Sequence, residues 1–151
     1  MLKKIHLLSL ILGGFFLCLD QIIKHFFLAH TTFSFYIIKP WLGLEYFENP
    51  GIAFGIPLPN AVVLILTPLV IFLLLILFFK PTTKSLHSWA FSCIIAGAIS
   101  NFVDRIFFDF TVDYIRIFTS ILNIGDILIV VGALLLLSSE LKKKESSISH
   151  T

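Results

Sequence analysis

Five aspartates are the residues of this sequence best suited to chemistry: Asp20, Asp104, Asp109, Asp113 and Asp126. All of them lie towards the same ends of long apolar segments, whereas most of the lysines lie towards the opposite ends. An ionised carboxylate near hydrocarbon is costly, so a cluster of carboxylates predicts a functional site at one membrane face.

Asp113 and Asp126 are the two aspartates that are hardest to explain structurally. Arg116 follows Asp113 by three residues, but that stretch has an extended pattern in which the two side chains would not pair. Asn123 precedes Asp126 by one helical turn and offers an amide to hold its carboxylate. Two carboxylates brought together can share one proton, one acting as base and the other as acid, which is the arrangement needed to activate water for peptide hydrolysis. Their spacing alone does not distinguish such a pair from two unrelated carboxylates.

Two of the other aspartates, Asp20 and Asp104, have basic neighbours, and the sequence assigns no role to Asp109. Asp20 and Lys24 are spaced i, i+4, and Asn101, Asp104 and Arg105 share one helical face. Salt bridges that anchor helix ends explain both groups without any function, and these residues could also support a nearby site.

Asn49 begins an Asn-Pro-Gly turn, which either serves the turn alone or presents an amide to a substrate backbone. The two cysteines, Cys18 and Cys93, lie within apolar runs and are interpreted as small buried hydrophobic residues. Neither has partners at metal-ligand spacing, so the sequence predicts no metal site and no disulfide.

The elements that must position these residues are membrane spans. A hydrophobic content of 58% with only 13% charged residues excludes an ordinary water-soluble globule. Four apolar stretches are about 20 residues long, enough to cross a bilayer as helices. They cover about 5–28, 60–79, 88–108 and 121–137, within a single domain of residues 1–151. The second contains Pro68, which a membrane helix tolerates, and the polar tail after Ser138 is expected to be frayed.

Lysines set the predicted orientation. Under the positive-inside rule, three groups of lysines mark cytoplasmic segments: Lys3 and Lys4, Lys80 and Lys84, and Lys142, Lys143 and Lys144. Lys24 and Lys39 are exceptions to this distribution. Both termini are then inside, and two segments lie outside. The first, about 29–59, has β-favouring runs at 33–38 and 42–47, and the second, about 109–120, holds another extended stretch. The sequence thus predicts an all-α membrane protein of four transmembrane helices, with a small β-rich periplasmic segment at the outer membrane surface.

Taken together, these motifs resemble those of lipoprotein signal peptidase, also called signal peptidase II. The motifs are D-Q-x-x-K at 20–24, N-x-G-x-A-F at 49–54, N-x-x-D-R at 101–105, V-D-[FY]-I at 112–115 and N-x-A-D at 123–126. Each motif is weak alone, but five in this order on a four-span chain are specific.

The resemblance implies an aspartic peptidase of the bacterial inner membrane, with its site toward the periplasmic face. Its substrates would be diacylglyceryl-modified prolipoproteins, cut before the lipidated cysteine without metal or cofactor. Asp113 and Asp126 would form the catalytic dyad. The other matching residues would line the site (Asn49, Asn101, Arg105 and Asn123) or support it (Asp20, Lys24 and Asp104).

The sequence has no basic patch interleaved with aromatic residues that would indicate nucleic-acid binding, and a monomer that contacts membrane lipids is expected. Two residues depart from the family pattern, Ser100 in place of Gly and Gly125 in place of Ala. Both departures bear on the fine geometry of the site.

Two other classes of function compete with this interpretation. A small transporter or channel subunit would use intramembrane charges as an ion path, but it predicts charges near the midplane or paired broken spans. A structural assembly factor would tolerate the loss of both Asp113 and Asp126.

Overall fold

A computed structural model describes residues 4–51, 58–80 and 84–148, with side chains as far as Leu141. In chain order its elements are α1 (Lys4–Ala29), β1 (Ser34–Ile38), β2 (Leu42–Asn49), α2 (Asn60–Phe79), α3 (Ser85–Phe108), β3 (Thr111–Ile117), β4 (Ser120–Leu122) and α4 (Ile124–Ile148).

All four helices are long and apolar enough to span a membrane, as the sequence predicts. The fourth differs from its predicted range of 121–137. It begins only at Ile124, because residues 120–122 pair as strand β4 and Asn123 caps the helix. It also continues to Ile148, so the tail expected to fray after Ser138 is helical as far as that residue.

Helix α3 packs against each of the other three helices. Its buried positions include several small residues, which let the neighbouring backbones approach closely: Ala90, Ser92, Ala96, Gly97 and Ser100. Gly97 is required at its position, because a Cβ there would overlap the backbone carbonyl oxygen of Gly125 in α4. Helix α2, by contrast, exposes most of its apolar side chains and keeps Pro68 inside the helix.

The strands form one antiparallel sheet in the order β1-β2-β3-β4. The predicted runs at 33–38 and 42–47 correspond to β1 and β2. The sequence did not predict that the second outer segment, which supplies β3, would pair with β2 in the same sheet. In this register Phe47 lies opposite Asp113, and Asn49 lies opposite Thr111.

The sheet joins the helices through a small core below β3. Val112 and Tyr114 of β3 are buried there against Phe27 of α1, and the rings of Tyr114 and Phe27 stack with their centroids 5.3 Å apart. This packing holds Asp113, which lies between Val112 and Tyr114, at the end of the helical bundle where α1 and α3 finish and α4 begins.

Candidate active site

Asp113 is fully buried on strand β3. Asn49 donates from Nδ2 to its Oδ2 at 2.8 Å, and Asn123 donates from Nδ2 to its Oδ1 at 2.6 Å. The β2–β3 register brings the first amide to Asp113, and the short β4 strand returns the chain to bring the second. Both oxygens of this carboxylate therefore accept a side-chain amide.

Asp126 is half-buried in the first turn of α4, where it forms a capping box with Asn123. The backbone N–H of Asp126 donates to Asn123 Oδ1 at 2.8 Å, and the backbone N–H of Asn123 donates to Asp126 Oδ2 at 3.3 Å. Asn101 of α3 donates from Nδ2 to the other oxygen, Oδ1, at 2.8 Å. The N-x-x-D spacing of the motif is thus also the spacing of a helix cap.

Asn123 bridges the two aspartates, and this corrects one expectation. Its side-chain amide was expected to hold Asp126, but that amide donates to Asp113, while its backbone N–H and side-chain oxygen bind Asp126.

Burial and the nearby charge of Asp126 raise the pKa of Asp113 to about 7, although the amide donors and the charge of Lys24 act in the opposite direction. Near neutral pH, Asp113 can therefore hold a proton and also release it.

Lys24 lies beneath the pair as the cation of a buried network. Its Nζ is 3.0 Å from Asp20 Oδ2 and 2.9 Å from Asp104 Oδ2, so the predicted i, i+4 salt bridge is confirmed. The alternative of an Asp104–Arg105 pair is wrong, because Asp104 pairs with Lys24 and also accepts the backbone N–H of Val112 at 3.0 Å. Asp104 thereby fixes the beginning of β3 to helix α3.

Arg105 has its hydrogen-bonding partners outside this network. Its guanidinium donates to the backbone carbonyl of Gly51 and lies 3.5 Å from Oδ1 of Asn60. It lines a cavity of about 180 Å³ together with three other predicted site residues, Asn49, Asn101 and Asp126. Apolar walls come from α2, α3 and α4: Val63, Ala98, Phe102 and Ile129. The cavity therefore has polar groups beside Asp126 and hydrocarbon on several sides.

Gly125 explains one departure from the family pattern. A Cβ at this residue would meet Asn123 Oδ1 at 3.0 Å, Asn101 Oδ1 at 3.1 Å and the Gly97 carbonyl oxygen at 3.1 Å. These contacts are tighter than usual, so a methyl group here would press on both amides that hold Asp126.

Part of the N-x-G-x-A-F motif, at residues 52–54, lies outside the described residues.

Several partners of the site were not predicted. Asp109, to which the sequence assigned no role, ends α3 in a left-handed conformation (φ 65°) and accepts Nδ2 of Asn60 at 2.9 Å. Tyr114 donates from its hydroxyl to Asp20 Oδ1 at 2.7 Å. The only sequence signal for this role was the place of Tyr114 in the V-D-[FY]-I motif, because a tyrosine among apolar residues ordinarily belongs to the hydrophobic core. Within the described residues, no group of three or more His, Cys, Asp or Glu side chains could hold a metal ion.

Four helices long enough to span a membrane, with two aspartates joined through Asn123 and one of them lining a partly apolar cavity, are features of a membrane peptidase of the aspartic class. The family model of signal peptidase (SPase) II matches residues 8–142, and the chain belongs to this family. The family expected from the five motifs is thus confirmed.

Curated relatives and solved structures agree with this membership. The chain is 36% identical to the lipoprotein signal peptidase of Clostridium novyi, over 81% of this chain and 89% of the relative. It is 35% identical to that of Lactococcus lactis, over 96% of this chain and 99% of the relative. Two solved structures described as bacterial membrane enzymes also match. One has a TM-score of 0.84 at 26% identity, covering 91% of this chain and 90% of that chain. The other has a TM-score of 0.75 at 28% identity, covering 89% and 92%. These matches do not favour the transporter interpretation.

Proposed function

We propose that this peptidase removes signal peptides from diacylglyceryl-modified prolipoproteins, cutting on the N-terminal side of the lipidated cysteine. Water activated between Asp113 and Asp126 would be the nucleophile. The observation that carries the proposal is the bridge through Asn123, which binds one oxygen of each carboxylate and so holds them as a pair. Relatives that bear the name lipoprotein signal peptidase support the substrate class.

The two environments suggest the starting protonation state. Asp113 is fully buried and its pKa is raised to about 7, so it is the aspartate that starts with the proton. Asp126 is half-buried, lines the cavity and accepts N–H donors on both oxygens, which suits the ionised base.

In the reaction, Asp126 accepts a proton from water while the water oxygen bonds to the scissile carbonyl carbon. Asp113 gives its proton to the carbonyl oxygen, which forms a neutral gem-diol. Collapse of the diol breaks the C–N bond. One diol proton returns to Asp113, and the proton on Asp126 passes to the leaving amine. The pair ends with the single proton with which it began.

The polar groups of the cavity would position the substrate. Arg105 and the amides of Asn49 and Asn101 border the space beside Asp126 and can bind the backbone of an extended peptide. The apolar wall from Val63, Ala98 and Ile129 suits a substrate that arrives from the bilayer. Prepositioned donors of this kind lower the entropy cost of bringing the scissile bond to the pair.

We further propose that both termini lie in the cytoplasm and that the site faces the periplasm, in the bacterial inner membrane. The lysine distribution supports this orientation. Exposed apolar residues of strand β1 and of the turn that follows it, including Phe35, Ile37 and Trp41, suit a position at the outer membrane surface. One chain supplies both aspartates and all their hydrogen-bonding partners described above, which supports a monomeric enzyme.

The test is cleavage of a lipidated precursor by the purified protein in detergent, followed as a gel shift. Asp113→Asn and Asp126→Asn should each abolish cleavage, because an amide cannot act as a general acid or a general base at neutral pH. Asp109→Asn is the matched control, since Asp109 is exposed and its role is to bind Asn60. Wild-type cleavage by either dyad variant would refute the assignment, provided that thermal melting shows all three variants folded.

A further inference from the structure

The carboxylate of Asp20 is fully buried and accepts four hydrogen-bond donors. Its Oδ1 accepts the Tyr114 hydroxyl at 2.7 Å and the backbone N–H of Ile124 at 3.0 Å. Its Oδ2 accepts the Ser100 hydroxyl at 2.6 Å and Lys24 Nζ at 3.0 Å. A buried charge needs such partners, so this carboxylate is fixed in place by four elements of the fold.

Two of these donors adjoin the proposed catalytic residues. Tyr114 directly follows Asp113 on β3, and Ile124 begins α4 two residues before Asp126. The Tyr114 hydroxyl also lies 3.3 Å from the Ile124 N–H, within the same cluster. Asp20 therefore ties the strand that carries one aspartate to the helix that carries the other.

Ser100 reaches Asp126 by a second route. Its hydroxyl oxygen accepts Lys24 Nζ at 3.3 Å, and Lys24 in turn donates to Asn101 Oδ1 at 2.9 Å. Because the Asn101 oxygen is taken by a cation, its amide must present the NH₂ group to Asp126, where the distance is 2.8 Å. The Ser100 hydroxyl thus contacts both α1 side chains that connect this helix to the site, Asp20 and Lys24.

From these contacts we infer that the hydroxyls of Ser100 and Tyr114 are positioning groups for the peptidase reaction. They hold the Asp20 carboxylate, and through it they set the separation and orientation of Asp113 and Asp126. The inference rests on the proposed function of this pair. Ser100 stands where glycine is usual in the motif pattern, so its hydroxyl is an addition made by this chain.

The elements packed around Asp113 and Asp126 differ in the charged groups that they bring near the pair. Helix α1 contributes Asp20 and Lys24, and α3 contributes Asp104 and Arg105. Helix α2 carries no charged residue. The carboxylates of β2 are engaged elsewhere, Glu45 with Arg116 and Glu48 with Tyr46. A pH profile that changes with either hydroxyl therefore reports on the pair through the Asp20 and Lys24 cluster.

The experiment compares Ser100→Ala, Tyr114→Phe and the double variant with wild type in the precursor assay, from pH 5 to 9. Each single variant should lower kcat by about three- to tenfold, with KM changed less than twofold, because one donor to a charged acceptor is lost. The double variant should lose more than the product of the two single effects, since both hydroxyls bind one carboxylate. The pH profile of kcat/KM should shift in all three variants.

Two matched controls separate positioning from stability. Ser92→Ala removes another buried serine hydroxyl at the α1–α3 interface, which donates to the Ser9 carbonyl at 2.6 Å. Tyr46→Phe removes a tyrosine hydroxyl elsewhere on the sheet, which donates to Glu48. Both controls should keep the wild-type pH profile, whatever they do to the melting temperature.

The inference is overturned if the Ser100 and Tyr114 variants melt at lower temperature while their kcat and pH profile match those of wild type. Ser100→Gly serves if the alanine variant cannot be purified, and Tyr114→Phe tests the same carboxylate independently. Failure of the dyad assignment would look different, because Asp113→Asn or Asp126→Asn would then retain cleavage.

Discussion

Substitution of Gly97 by alanine should damage the site from a distance. Gly97 lies on α3 where this helix crosses α4, one turn before Asn101. A methyl group there would overlap the backbone carbonyl oxygen of Gly125 and approach Ile129 Cγ1 to 2.9 Å. Because the first obstacle is backbone, it cannot be relieved by a side-chain rotation, and the start of α4 must move.

The structure sets the size of the effect. Ordinary van der Waals contact begins at 3.4 Å, so the two backbones must separate by about 1 Å to accept the methyl group. Overpacking of this kind costs about 1–3 kcal/mol, and the better helix propensity of alanine offsets up to about 1 kcal/mol. We therefore expect a loss of about 1–2 kcal/mol in the free energy of unfolding. A displacement of about 1 Å at Asp126 should lower kcat roughly 100-fold.

Two further glycines provide the comparison. Gly132→Ala also creates a clash between α3 and α4, with Ile94 Cγ1 at 2.5 Å and the Ala90 carbonyl oxygen at 2.6 Å, but it does so two turns farther from the site. It should lower stability similarly and leave kcat within about threefold of wild type. Gly14→Ala meets nothing within 4 Å and should be neutral or slightly stabilising.

The assay combines thermal melting in detergent with precursor cleavage under single-turnover conditions. We predict that Gly97→Ala and Gly132→Ala share a stability loss and differ in rate. A Gly97→Ala enzyme with wild-type kcat would refute it, since α4 could then accept the methyl group without moving Asp126. Equal rate losses in the two variants would refute it as well, because distance from the site would have no influence.

Two other predictions concern charge. Since burial and the Asp126 charge raise the pKa of Asp113 to about 7 from its ordinary value of 3.8, kcat/KM should fall about tenfold per pH unit above pH 7, as Asp113 loses its proton. Between pH 3.8 and about 7 the folded protein keeps the Asp113 proton that the unfolded chain has lost, so the melting temperature should fall as the pH rises from about 4 to 7. Asp113→Asn should remove this contribution to the pH dependence of the melting temperature. A pH dependence of melting that the substitution leaves unchanged would contradict the raised pKa of Asp113. Lys24→Met leaves Asp20 and Asp104 buried without their shared cation and should cost about 3–5 kcal/mol in stability. The exposed Lys39→Met is its control, and a melting curve for Lys24→Met equal to that of Lys39→Met would contradict the role of the network.

The spans were predictable because each is a long run of apolar residues, and length and hydropathy suffice to identify it. The start of α4 was not, since Ile121 and Leu122 are as apolar as the helix that follows. Hydropathy cannot show that these residues pair with Ile115 and Arg116 in a strand. Pairing between distant segments depends on register, which a single sequence does not reveal.

The site was predictable in its members and less so in its connections. The i, i+4 spacing of Asp20 and Lys24 predicted their salt bridge, because helix geometry alone determines that contact. Nothing in the local spacing shows that Asp104 prefers Lys24 to its neighbour Arg105, since that choice depends on how α1 packs against α3. The sequence marked Ser100 only as a departure from the family pattern, whereas the structure shows that its hydroxyl donates to a buried carboxylate.

Asn123 shows why two aspartates from different elements can keep a constant geometry. Its backbone N–H and side-chain oxygen close the capping box with Asp126, which fixes the residue at which α4 begins. Its amide nitrogen donates to Asp113 and lies 3.4 Å from the Val112 carbonyl oxygen, which fixes that same residue against β3. The helix therefore cannot start one residue earlier or later without breaking its contact to the strand. The segment around Asn123 thus joins the two carboxylates directly, while Asp20 of α1 and the close contact of α3 with α4 at Gly97 hold that segment against the helices.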